Sequence, residues 1–156
     1  MDLKQLYQDI ILEHGKSPRN LGKCEGYSHE AKGYNPLCGD KVHVYLKLNT
    51  EKKVENLTFE GDGCAISLAS ASIMTELVKG RSINDTKEIM SAFLNMIKNT
   101  SEMNSNHLDD DQKTKIMSLS GVKQFPMRVK CATLSWHTLN SAMDEKKEAV
   151  NTEVMD

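Results

Sequence analysis

The 156-residue chain is poor in cysteine, proline and aromatic residues and has no excess of either charge. Four cysteines are too few to staple a disulfide scaffold. The closest two in sequence, Cys24 and Cys38, are too far apart for the CxxC pairs of zinc fingers and ribbons. Twenty Lys and Arg stand against 22 Asp and Glu, a formal net charge of −2 with no single-sign block. That balance lacks the electrostatic footprint of a nucleic-acid or membrane-surface binder. No apolar run approaches the ~18 residues of a membrane span. The N-terminal MDLKQLYQDI carries Asp2 and Gln5 where a secretion signal needs an unbroken apolar stretch. The expectation is a cytoplasmic chain with free thiols and neither nucleic-acid nor membrane partners, monomeric because no segment forms an exposed apolar seam. Its length suits a single domain over residues 1–147. The tail 148–156 has too little apolar surface to dock and is expected to fray.

What is present sorts into a sheet followed by helices. Leu3, Leu6, Tyr7, Ile10, Ile11 and His14 share one face of a helix over 3–14, stopped by Gly15 and Pro18. From Gly39 the period changes to two: Val42, Val44, Leu46 and Leu48 alternate with His43, Tyr45 and Lys47. A polar turn at Asn49–Lys53 leads to a second alternating run from Val54 to Phe59, together an antiparallel hairpin, with Ser28–Tyr34 as a third strand. A helix follows Gly63 and carries the ridge Ile66, Ala69, Ile73 and Leu77 up to Gly80. Another spans about Asp85–Lys98, capped by Ser82 or Asn84. Residues 99–115 are polar and aperiodic: a loop, an exposed helix or an insertion. A last helix starts near Met127 or Cys131 and runs to about Lys147. This order argues an α+β fold, a small antiparallel sheet of about three strands packed on one face by helices.

Three cysteines fall at element boundaries: Cys38 in NPLCGD before the first strand of the hairpin, Cys64 at a helix start after EGDG, and Cys131 in FPMRVKC at the start of the last helix. Asp40, two residues from Cys38 along extended chain, points to the same side. Three thiolates and a carboxylate suit tetrahedral zinc, and helix N-termini favour thiolate at Cys64 and Cys131. The same cysteines are equally readable as small buried apolar residues, and spacing leaves both readings open. Cys24 belongs to no pattern. His43 alternates outward on its strand. His137 lies six residues beyond Cys131 and faces elsewhere. His14, His29 and His107 have no ligand partners by spacing, and Trp136 and the methionine-rich helices belong to the core.

The segments YQDIILEHGKSPRNLG, GYNPLCGDKV, FEGDGCAISLASASIMTELVKG and FPMRVKCATLSWHTL resemble the U-type iron–sulfur scaffold family over about residues 3–145. They resemble its SufU branch more than its IscU branch: Lys130 stands where IscU-like chains carry histidine before the last cysteine, the LPPVK stretch is absent, and the polar segment 99–118 is similar to the SufU insertion. The resemblance implies one zinc per chain held by Cys38, Asp40, Cys64 and Cys131. It further implies a sulfurtransferase with Cys38 as acceptor of persulfide sulfur from a pyridoxal-phosphate cysteine desulfurase of the SufS type, passing sulfur to a downstream assembly scaffold. The alternative it implies is a scaffold for a [2Fe–2S] cluster, against which Lys130 counts. Arg128 is a possible auxiliary that steers the anionic persulfide or pairs with Asp40. Arg19 either fixes the N-terminal loop or touches the desulfurase.

Overall fold

In the computed structural model, which describes residues 2–99, 103 and 105–154, the alternating segments form the expected hairpin. Strand β2 (Asp40–Leu48) pairs antiparallel with β3 (Val54–Asp62), burying Val42, Val44, Leu46, Leu57 and Phe59 on one face. The Asn49 side chain closes their turn by accepting from the N–H groups of Glu51 and Lys53. Strand β1 (His29–Asn35) adds antiparallel to β2, with Asn35 directly opposite Asp40. The other sheet face carries His43 stacked on Tyr45, with Glu30 and Glu60 as their hydrogen-bond partners. His43 thus points away from the helices, as the alternation predicts.

The helices gather on the apolar face. Helix α1 (Leu3–Lys16) is capped by Asp2, which accepts from the Gln5 N–H. It runs through Gly15 instead of ending there, because a bare Cα at that position lets α1 approach Ala65. Helix α2 (Ala65–Val78) is buried almost all round; its small residues allow the chain to lie close to its neighbours. Helix α3 (Ile83–Lys98) is capped by Ser82 and buries Ile89, Phe93, Met96 and Ile97. Helix α5 (Pro126–Met143) begins with Pro at its first position and crosses β1 at Gly33, where a Cβ would lie 2.1 Å from Thr138 Oγ1. Phe93 stacks on Trp136 of α5 at 4.7 Å between ring centroids, which joins the two helices in the core.

Of the readings open for the polar segment the structure takes the helix: α4 (Asp110–Met117), started by a capping box between Asp109 and Gln112, continues as a 3-10 segment over Ser118–Gln124. Residues 100–102 and 104 of that insertion lie outside the described residues. Two expectations are corrected. Helix α5 ends at Met143, not near Lys147. The tail does not fray as far as Thr152: strand β4 (Val150–Asn151) pairs parallel with β1, and Thr152 is buried. The sheet is therefore four-stranded and mixed, in the order β3-β2-β1-β4, within the expected α+β class. A short polar strand can dock because β1 offers an open edge whose backbone groups need partners. Among the described residues no helix is long and apolar enough to cross a membrane.

Candidate metal centre

The sulfurs of Cys38 and Cys131 and a carboxylate oxygen of Asp40 all lie within 4.8 Å of one another. They come from two elements remote in sequence. Asp40 opens β2 on its buried face, and Cys38 precedes it in a tight turn whose N–H groups at Cys38 and Gly39 return to the carbonyls of Asn35 and Pro36. The chain between them is not extended: Gly39 sits at φ +70°, a left-handed conformation that glycine adopts without penalty. The turn brings Cys38 and Asp40 together where the two-residue spacing of a strand was expected to.

Cys64 approaches from the other side. Its N–H donates to Asp40 Oδ1 at 2.9 Å, and its sulfur lies beside the other three ligand atoms without coming within 4.8 Å of all of them. It is the N-cap of α2 and its sulfur accepts from the Ser67 N–H at 3.5 Å. The hydrogen bond from Cys131 first, and then this backbone donor, pull the Cys64 thiol below its ordinary range. Cys131 behaves in the opposite way. It lies in the second turn of α5, not at its start, so no free N–H serves it. Donating to Cys64, burial, and hydrogen bonds with Asp40 and Cys38 push its thiol upward. The helix-terminus argument therefore holds for Cys64 and fails for Cys131.

Sequence reasoning missed the residue that ties this cluster together. Asn35 is fully buried, and its side-chain amide donates to Asp40 Oδ2 at 3.0 Å and to Cys131 Sγ at 3.4 Å. It stood in the GYNPLCGD segment, and its position opposite Asp40 becomes visible only once the strand register is known. Gly63 was also unremarked: a Cβ there would lie 2.3 Å from Asp40 Oδ1.

The donor set fits a thiophilic divalent ion. Tetrahedral zinc with sulfur ligands at ~2.3 Å needs ligand atoms roughly 3.7 Å apart, a small contraction of the Cys38, Asp40 and Cys131 set, with Cys64 moving in to complete it. Asp40 is buried, and among the described residues its hydrogen bonds come from neutral donors and no basic side chain pairs with it, so a cation would balance a carboxylate charge there. Cys38 and Cys64 are both half-buried, whereas Cys131 is buried.

The remaining candidates separate cleanly. Arg128 is exposed on the first turn of α5, bordering a groove with Leu3, Tyr7, Ile66 and Phe125, and forms no ion pair with Asp40 among the described residues. Arg19 fixes the N-terminal loop: its N–H donates to Ser72 Oγ at 2.8 Å, and its guanidinium meets Glu13 and the Ser17 carbonyl. Cys24 is buried far from the cluster, its sulfur accepting from Asn56. His14, given no partner by spacing, is buried with Nδ1 2.7 Å from Ser72 Oγ and Nε2 3.5 Å from Glu76. Asp85, Glu88 and His107 also meet within 4.8 Å, but near the surface, with His107 already hydrogen-bonded to Glu88.

Residues 6–132 match the sequence profile of the NifU-like N terminal domain. Over 94% of its length the chain is 38% identical to the zinc-dependent sulfurtransferase SufU of Bacillus subtilis, covering 95% of that protein. It is 33% identical, again over 94% of its length, to the iron–sulfur cluster assembly scaffold protein IscU of Streptococcus pyogenes, covering 88% of it. The fold superposes with a TM-score of 0.78 and 34% identity on FiSufU from Fervidobacterium islandicum AW-1, whose structure is described as that of a scaffold for the SUF system, covering 89% of this chain and 97% of that one. With the profile spanning most of the chain and these relatives matched nearly end to end, the protein belongs to the NifU N-terminal-like family, the IscU/SufU group of iron–sulfur cluster assembly proteins.

Proposed function

We propose that this chain is a zinc-dependent sulfur acceptor in iron–sulfur cluster assembly, with Cys38, Asp40, Cys64 and Cys131 as zinc ligands and Cys38 as the thiol that takes sulfur. The observation that carries the reading is the convergence of Cys38, Asp40 and Cys131 within 4.8 Å beside the Cys64 thiol. Similarity to the zinc-dependent sulfurtransferase of B. subtilis supports zinc over other ions. When bound, zinc supplies a positive charge that keeps the thiols deprotonated at neutral pH.

The chain's own residues set the rest. Cys38 sits on a turn hinged at Gly39, half-exposed, while Cys64 is held at a helix start and Cys131 within a helix. Cys38 is thus the thiolate that can leave the cluster at least conformational cost. The donor is a persulfide on a pyridoxal-phosphate cysteine desulfurase. Cys38 thiolate attacks its outer sulfur, a new S–S bond forms at Cys38, the donor's S–S bond breaks, and the donor cysteine leaves as thiolate. Oxidation state is conserved, so no external oxidant is needed. The sulfur then passes to a downstream assembly scaffold. Arg128, exposed near α1, remains available to the docked donor but not to Asp40.

A second reading, assembly of a [2Fe–2S] cluster on the same donors, draws on the similarity to the S. pyogenes scaffold. Purification without reconstitution separates the two: colourless protein with one zinc per chain supports sulfur transfer, and brown protein with iron and sulfide supports the scaffold. Mixing the zinc-loaded chain with a desulfurase and cysteine should then add the mass of one sulfur atom at Cys38. A zinc-loaded Cys38→Ala variant that stimulates desulfurase turnover as strongly as the wild type would sink the acceptor role.

A further inference from the structure

We propose that the C-terminal segment is part of the metal centre, with Thr152 and Asn35 as positioning residues that orient Asp40 and Cys131. This inference rests on the zinc reading above. The observations are a continuous chain of buried hydrogen bonds. Thr152 Oγ1 donates to Asn35 Oδ1 at 2.8 Å, and the Asn35 amide nitrogen donates to both Asp40 Oδ2 and Cys131 Sγ. Asn35 is 0% and Thr152 2% exposed. Strand β4 holds Thr152 in place by pairing Val150 with Gly33 and Asn151 with Tyr34 of the strand that carries Asn35.

The chemistry explains why the hydroxyl matters. A primary amide is nearly symmetric in shape but opposite in polarity at its two ends. The Thr152 proton selects the carbonyl end, so the NH2 end must face the two anionic ligands. Without that proton the buried carbonyl end loses its donor, and the amide loses the tie that holds its NH2 end firmly against Asp40 and Cys131. With it, the carboxylate is held at both oxygens, Oδ2 by Asn35 and Oδ1 by the Cys64 N–H. Outer hydrogen bonds of this kind are worth about 10–100-fold in metal affinity.

The test is zinc affinity of the full-length chain, measured by competition with a chromophoric chelator, with cobalt(II) absorption as a report on ligand geometry. Thr152→Val, which keeps shape and removes the hydroxyl, should weaken zinc about tenfold and alter the cobalt spectrum. Thr152→Ser, which restores the hydroxyl, should bind within about twofold of wild type. Asn35→Asp, which sets a second carboxylate against Asp40 and Cys131, should lose about 100-fold. Melting of the metal-free proteins shows that each variant is folded. Thr152→Val binding within twofold of wild type, or Thr152→Ser losing as much as Thr152→Val, would overturn the role of the tail while leaving the zinc reading intact. A wild-type chain that takes up no zinc would overturn both.

Discussion

Gly63 lies against the carboxylate of Asp40 so closely that a Cβ on Gly63 would be 2.3 Å from Oδ1 and 3.0 Å from Cγ. The close pass is what lets the next residue, Cys64, donate its N–H to that same oxygen. Asp40 cannot swing aside cheaply, because Asn35 holds its other oxygen. Gly63→Ala should therefore destabilise the protein by about 1–3 kcal/mol, the usual range for overpacking. Zinc affinity should fall with it, since the collision displaces a proposed ligand. Denaturant unfolding with and without zinc measures both, and an alanine variant as stable and as zinc-avid as wild type would contradict the packing described here.

Ser70 clamps α2 to α5 one residue away from Cys131. Its hydroxyl donates to the Ala132 carbonyl at 2.5 Å and accepts from the Trp136 indole N–H at 3.1 Å. Ser70→Ala would strand a fully buried indole N–H, at a cost of about 1–3 kcal/mol. Trp136 is the sole tryptophan of the chain, so its fluorescence follows unfolding at this contact directly. An unchanged midpoint in Ser70→Ala would mean that the indole finds another partner.

Much of this arrangement was legible in the residues, for identifiable reasons. The hairpin showed itself because Val42, Val44 and Leu46 face the core while His43 and Lys47 do not, and Ser82 announced α3 by its side chain. The cysteines announced themselves by type and by their family motifs. Asn35 and Thr152 did not, since an asparagine in a turn and a threonine in a polar tail are ordinary; only the register of β1 against β2 and β4 gives them a common partner. Helix α4 was left as one of three alternatives because its start is set by the Asp109–Gln112 box, while its sequence, DDQKTKIM, lacks an apolar stripe. The dipole argument misplaced Cys131 because Pro126 starts α5 a turn earlier than the cysteine.

His14 makes stability depend on pH. Burial, first, and then the Arg19 charge hold its imidazole below the ordinary value of 6.5, with Glu76 acting the other way and Lys115 adding to the depression. The Ser72 hydroxyl accepts from the Arg19 N–H, which leaves its own proton for Nδ1 and favours the neutral ring. Below pH ~6.5 the unfolded chain therefore binds a proton that the folded chain refuses. Stability falls as pH drops from about 6.5 toward the lowered native value, and it is fully present above that window. His14→Gln should remove this slope, by one proton, while contributions from the thiols cancel in the comparison with wild type. Equal pH slopes for the two proteins, from urea titrations on either side of the window, would mean that His14 takes up its proton as readily in the native state as in the unfolded one.

Removal of metal should lower the melting temperature without unfolding the chain. The main core, built around Leu46, Phe59, Ile73, Phe93 and Trp136, does not pass through the cysteine cluster. What metal adds is a tie between the turn before β2, the start of α2 and the second turn of α5. A ligand at a free concentration of 100 times its Kd stabilises by about 2.7 kcal/mol, which in a protein of this size raises Tm by roughly 5–11 °C. Calorimetry of zinc-loaded and chelator-treated protein should show that difference. Cadmium, which shares zinc's preference for thiolate, should restore it; magnesium, which demands oxygen ligands in an octahedron, should not. Restoration by magnesium as well as zinc would mean that Asp40 alone carries the binding, and the three thiols would then be no more than well-packed core residues.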